Sequence, residues 1–129
     1  MCRYDVSAFH KKEVDWETAL RRCQKIDPKG KLAEPKTALQ THFLTSSLPV
    51  RSGSGVSKSV WLGLRIRRSA GGRYRWDGSG VLLDDREARW SNGEPATALG
   101  DCVEMSEDGS WHTQACDADD SVFACEIPA

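Results

Sequence analysis

The stretch GEPATALGDCVEMSEDGSWHTQAC, residues 93 to 116, gathers the carboxylates Glu94, Asp101, Glu104, Glu107 and Asp108, the imidazole of His112, and two cysteines, Cys102 and Cys116. Carboxylate and carbonyl oxygens are the ligands of hard cations such as calcium, whereas imidazole combined with carboxylate suits zinc. The chemistry this stretch could do is metal ligation, with the cysteines fastening the loop. A second group of side chains is cationic. In VWLGLRIR and RYRW, Arg65, Arg67, Arg73 and Arg75 alternate with Leu64, Ile66, Tyr74 and Trp76, and Arg68 follows the first run. Guanidinium forks match sulfate, phosphate and carboxylate, so sulfated glycans or an acidic protein surface are the partners such a strip would take. The plainer reading is a solvated strand edge whose charges discourage strand pairing. Catalysis finds little support. His10, His42 and His112 stand beside no nucleophile in a recognisable motif, and no glycine-rich loop cradles phosphate. The chain is not expected to be an enzyme, and a glycoside hydrolase working through paired carboxylates ranks last.

These residues must be held by a folded scaffold, and the composition supplies one. The 129 residues are expected to form one domain, 1–129, and 39% apolar with 29% charged residues describes an ordinary globule. A net charge of −1 gives no overall attraction to nucleic acid or an anionic membrane. No run approaches the ~18 apolar residues of a membrane-spanning helix, so the domain itself is not expected to be membrane-embedded. No secretory signal pattern opens the chain. Met1 directly before Cys2 reads as the start of an excised domain, which would leave any upstream signal or anchor out of view. The five cysteines, Cys2, Cys23, Cys102, Cys116 and Cys125, form no C-x-x-C pair. Their wide separation suits disulfides in an oxidising compartment. An odd number leaves one without a partner in the chain, and spacing alone leaves the pairing open.

VDWETALRRCQ reads as a helix capped by Asp15, with Trp16, Ala19, Leu20 and Cys23 recurring at three- and four-residue steps. EPKTALQTHFLTSSLP reads as a second, with Pro35 in its first turn, Leu39 and Phe43 on its buried stripe, and Pro49 beyond its end. RSGSGVSKS is then a surface loop. From Val60 the period changes to two, and RSAGG between the arginine-bearing runs predicts a hairpin. Residues 77–101 are rich in Gly and Asp, with Ser and one Pro, and CVEM and SVFACEI read as closing strands. Two helices followed by irregular β structure make an α+β domain with a long loop region.

In that order, WETALRRC, LAEPKTALQTHFL, WLGL, WDGSG, WSNGEP, DCVEM, GSWHTQAC and FACEIPA resemble the C-type lectin-like domain over nearly the whole chain, from Cys2 to Ala129. The resemblance implies a fold of two helices, antiparallel sheets and a long loop, with disulfides Cys23–Cys125 and Cys102–Cys116. Cys2 is left over. Its partner would lie in an upstream N-terminal hairpin or in another chain.

The resemblance also supplies a test of the metal loop. Sugar-binding members hold calcium through a Glu-Pro-Asn or Gln-Pro-Asp triplet, a Glu before the Asp-Cys pair, and a Trp-Asn-Asp triplet. Here Glu94 and Pro95 match, but Ala96 stands where an amide or carboxylate should be. Gly100 replaces the Glu before Asp101-Cys102, and His112 and Thr113 replace Asn-Asp after Trp111. Calcium is not expected at the usual sugar site. Glu94 and His112 at former ligand positions make a candidate zinc pair, completed by Asp101, Glu104 or a second molecule; the bland reading is a surface histidine in a degenerate loop, solvated or hydrogen-bonded to a carboxylate. Some calcium-independent members bind β-glucan through a tryptophan and a histidine near this point, which brings in Trp111 with His112, although Trp111 also matches a core position. The reading that follows is an extracellular domain, secreted or on a membrane-anchored receptor, with a cell-surface or innate-immunity role and no required cofactor. It resembles natural-killer-type receptors, which commonly form homodimers and whose ligands are often proteins, and it is expected to bind a protein or another ligand such as a glycan. The alternative is a lectin using the zinc-adapted loop or the Trp-His surface.

Overall fold

The computed structural model describes residues 2–47, 59–68, 71–119 and 121–128. Residues 51–58 of the expected surface loop, Pro49, and Ser69-Ala70 of the expected turn lie outside these. β1 (Cys2–Val14) is a strand that no steady two-residue period announces. Its antiparallel register with the last strand shifts between Asp5 and His10 and again between His10 and Val14. Each shift interrupts the inside-outside alternation that marks a strand in sequence.

α1 (Trp16–Ile26) forms where the apolar residues recur at helical spacing, and it buries Trp16, Ala19 and Cys23. Asp15 holds the N-cap position, and its carbonyl accepts from the Ala19 amide at 3.0 Å, but its side chain makes no capping bond. After the two-residue strand β2 (Lys31–Leu32), α2 (Ala38–Ser47) corrects two expectations. Pro35 lies in the extended connection before the helix, not in its first turn. The inward positions are Thr41 and Leu44, whereas Leu39 is 78% exposed and Phe43 40% exposed. Both i,i+3 and i,i+4 stripes fit a 3.6-residue period, and the contact of Leu44 with the core chooses between them.

β3 (Val60–Arg67) and β4 (Arg73–Trp76) make the predicted hairpin, pairing Leu64 with Trp76, Arg65 with Arg75, Ile66 with Tyr74 and Arg67 with Arg73. β5 (Cys102–Met105), β6 (Trp111–Gln114) and β7 (Ser121–Pro128) complete the sheet, which runs β1-β7-β3-β5-β6, with β2 beside β7 and β4 beside β3. β3 is buried on both faces along most of its length because a core lies on each side. Val60, Leu62 and Leu64 join Leu44, Trp76, Val103, Met105 and Trp111 on one face. Trp61 joins Trp16, Ala19, Phe123 and the Cys23–Cys125 bridge under α1 on the other. Gly63 is required in WLGL, since a Cβ there would meet the Leu32 carbonyl oxygen at 2.9 Å.

The two disulfides are those implied by the resemblance. Cys23–Cys125 ties α1 to β7 with Cα atoms 5.5 Å apart, and Cys102–Cys116 joins β5 to the segment after β6 at 5.1 Å. On the loop-entropy model they contribute about 4.7 and about 3 kcal/mol. WDGSG is held by a buried carboxylate: Glu34 accepts from the Gly78 amide at 2.9 Å, the Ser79 amide at 3.3 Å and Ser79 Oγ at 3.0 Å. Lys31 and Lys36 lie within 3.8 Å of the same group and balance its charge.

Candidate functional site

The long loop returns to the sheet at the cis Glu94–Pro95 peptide. Period-two alternation in β6 turns Trp111 and Thr113 inward and His112 and Gln114 outward. Thr113 therefore meets the loop. Its amide and its hydroxyl each donate to Glu94 Oε1 at 2.7 Å, and the Ala96 amide donates to the same oxygen at 3.2 Å. Desolvation, the largest influence on the Glu94 carboxyl, pushes its pKa up. The Thr113 and Ala96 hydrogen bonds, with the nearby His112 imidazole, outweigh it and hold the pKa below the usual carboxylate range. At Gly100 the loop lies against β6 so closely that a Cβ would stand 2.2 Å from the Gln114 carbonyl carbon. The space a glutamate side chain would need at this position is filled by backbone.

His112 bonds to Glu104. β5 and β6 set Glu104 opposite His112, and His112 Nε2 lies 2.7 Å from Glu104 Oε1, while Nδ1 lies 3.3 Å from Ser106 Oγ. Glu104 is 2% exposed, and its other oxygen accepts from Ser121 Oγ. The histidine thus helps satisfy a buried carboxylate that would otherwise be costly.

The far end of the loop is held by Arg68. Its Nε donates to Asp101 Oδ1 at 2.8 Å and its terminal nitrogen to the Thr97 carbonyl at 2.9 Å. The Tyr74 phenol stands in the same electrostatic neighbourhood. Burial, foremost, and the charge of Glu94 push its pKa up, against the pull of Arg68. Tyr74 packs on Trp90 with ring centroids 5.1 Å apart. Together with Arg73, Leu82, Leu83, Asp85 and Pro95 these rings line a cavity of about 570 Å³ beside the loop.

The side chains placed here supply few ligands for calcium or for the candidate zinc pair. Glu94 Oε1 and Asp101 Oδ1 are engaged, and Ala96, Gly100 and Thr113 replace the other side-chain ligands, far short of the six to eight oxygens calcium needs. For zinc, the Glu94 and His112 side chains face different partners, and among the described residues no group of three or more His, Cys, Asp or Glu converges. Farther along the loop, Glu87 Oε1 accepts from the Asp84 amide at 3.2 Å. Asp84 pairs with Arg86 at 3.0 Å, and Glu87 accepts from Trp76 Nε1 at 3.3 Å.

Trp111 takes the core alternative of the two readings: it is 0% exposed, packed edge-on against Trp76 and Trp90, and offers no face to a sugar. The arginine strip occupies the face opposite Leu64 and Trp76, but its members differ. The Arg65 guanidinium lies 5.1 Å from the Trp16 ring centre. Arg67 pairs with Asp77 at 2.9 Å, and Arg75 donates to the Gly80 carbonyl at 3.3 Å. Arg73 reaches the cavity rim. The residues that sequence reasoning missed as partners are Thr113, Ser106 and Arg68. One signal was present: CVEM and WHTQ flank SEDGS, a five-residue turn containing glycine, and a hairpin there sets Glu104 against His112.

Residues 12–127 match the family model for the lectin C-type domain. Ovocleidin-17 of Gallus gallus is 29% identical over 131 residues, covering 94% of this chain and 87% of that protein. A phospholipase A2 inhibitor of Bothrops moojeni is 46% identical over a shorter 38-residue stretch, 30% of this chain and 22% of that protein. Human lithostathine superposes with a TM-score of 0.74 at 26% identity, over 94% of this chain and 89% of that one. Family and fold are those of binding domains, and no helix among the described residues is long and apolar enough to cross a membrane. By the match over residues 12–127 and the architecture around it, the chain belongs to the C-type lectin domain family.

Proposed function

We propose that this chain is an extracellular recognition domain that binds a protein ligand without calcium. The observation that carries the reading is the closure of the loop onto β6: Glu94 is taken by Thr113 and Ala96, and Gly100 abuts Gln114. The ligand-facing surface is the neighbouring cavity, where Tyr74, Trp90, Leu82 and Leu83 provide apolar anchors and Arg73 and Asp85 a charged rim. Exposed Val81 and Leu82 add the apolar area that protein partners bury. The relative named as a phospholipase A2 inhibitor carries a name that implies a protein target, which supports the same class of ligand. Two disulfides fit an oxidising, extracellular setting. Assembly as a homodimer belongs to the same reading and is read by sedimentation equilibrium.

A second reading, a calcium-independent lectin, is favoured by the aromatic lining of that cavity, which could stack on a sugar ring. A glycan array probed with EDTA, with calcium and with zinc separates the two. No glycan binding in any condition supports the protein ligand. Binding that persists in EDTA and is lost in Leu82→Asp supports the second reading. Binding that requires calcium overturns both, and binding that requires zinc and is lost in His112→Ala restores the zinc site.

A further inference from the structure

The net charge of −1 hides a strong segregation. Residues 1–75 hold sixteen Lys and Arg against six Asp and Glu, whereas residues 76–129 hold two against thirteen. On α1 this positive charge falls on one face. Thr18, Arg21, Arg22 and Lys25 fall at i, i+3, i+4 and i+7, a single stripe on the helix. It is the side away from the buried Trp16, Ala19 and Cys23, and with Gln24 these residues line a shallow concavity of about 440 Å³. Lys29 continues the positive charge one turn beyond. The acidic groups nearby are weak competitors. Glu17 lies 3.9 Å from Arg21 in an exposed pair, and Asp27 is turned to the Lys29 amide at 2.8 Å.

We propose that the outer face of α1 is a docking surface for a sulfated polysaccharide, held by Arg21, Arg22 and Lys25. The chemistry selects this partner class. Guanidinium forks pair with the flat oxygen array of a sulfate ester, and Lys25 adds a point charge. Thr18 and Gln24 offer a hydroxyl and an amide to sugar hydroxyls. A protein partner would need apolar anchors here, but the stripe offers only aliphatic stems, with Ile26 at its end the one large exposed apolar side chain of the helix. The surface is also separate from the cavity beside the long loop. α1 packs on the sheet face that carries Trp61, whereas the loop packs on the face that carries Trp76 and Trp111. A polyanion on α1 and a ligand at the cavity could therefore be held together, the first retaining the domain in a matrix while the second is recognised.

The test is calorimetric titration of the full chain with a heparin-derived octasaccharide, repeated across salt concentrations. The expected result is binding that weakens as salt rises and falls about tenfold or more in Arg21→Ser/Arg22→Ser/Lys25→Ser. That triple variant, altered only on exposed or half-buried helix positions, should keep the wild-type melting temperature. Arg86→Ser, a charge removed from the long loop, should bind as wild type, and the de-sulfated octasaccharide should give no heat. Four outcomes overturn the proposal: no binding by the wild type, equal loss in Arg86→Ser, equally tight binding of the de-sulfated chain, or loss in Arg73→Ser/Arg75→Ser with the helix variant intact.

Discussion

Thr113→Val removes one hydroxyl at nearly constant volume and should loosen the loop that Glu94 anchors. The hydroxyl lies 2.7 Å from Glu94 Oε1 and 2.9 Å from the Ala96 carbonyl, and its single proton serves the carboxylate best. Glu94 keeps the amides of Thr113 and Ala96, so one bond of three is lost. A hydrogen bond to a charged acceptor contributes about 1.5–3 kcal/mol, and the partial exposure of Glu94 favours the lower end, about 1.5–2 kcal/mol. That is a large share of the 5–15 kcal/mol typical of a domain, and for this size corresponds to a fall of about 5–10 °C in Tm. The assay is urea unfolding followed by tryptophan fluorescence with the disulfides intact. The sign of the pH dependence follows from the depressed Glu94 pKa. Its stabilisation is present above the unfolded carboxylate pKa of about 4.3 and is lost as pH falls through the folded value. The gap between wild type and variant should therefore be full at neutral pH and shrink in acid. A gap under about 0.5 kcal/mol at neutral pH, or one unchanged in acid, would refute the reasoning.

Four other outcomes are expected. Leu44→Ala should cost about 2–5 kcal/mol in urea unfolding and Leu39→Ala less than about 0.5, because only Leu44 enters the core. His112→Ala, by removing the 2.7 Å partner of buried Glu104, should cost about 1–3 kcal/mol without any added metal. Gly100→Ala should destabilise by about 1–3 kcal/mol, since its Cβ would meet the Gln114 backbone, and circular dichroism melts would read the change. Arg68→Met should leave global stability nearly unchanged, its pair with Asp101 being exposed, while speeding hydrogen exchange in residues 97–101.

Where one physical period governs a segment, the sequence was readable. The alternation of Leu64, Ile66 and the arginines marked the β3–β4 hairpin and its face, and Trp16, Ala19 and Cys23 marked α1. Where two stripes satisfied the same period, only tertiary contact could choose, and Leu44 displaced Leu39 and Phe43 from the interior of α2. β1 escaped because its register shifts interrupt the alternation. In the loop, the missing ligands could be read one residue at a time, but Thr113 looked like a loss and is the partner of Glu94. His112 looked like the mate of Glu94 and is held by Glu104 across a strand pair. Sequence position gave neighbourhood there; strand parity gave direction.

The central proposal is that Glu94, whose Oε1 accepts from Thr113 and Ala96, serves no calcium ion. The most direct measurement is calorimetric titration of the domain with calcium, paired with the melting temperature, for wild type and Glu94→Gln. The account predicts no saturable heat and no calcium-dependent rise in Tm assignable to this carboxylate. Saturable binding tighter than about 1 mM that raises Tm in wild type and disappears in Glu94→Gln would contradict it.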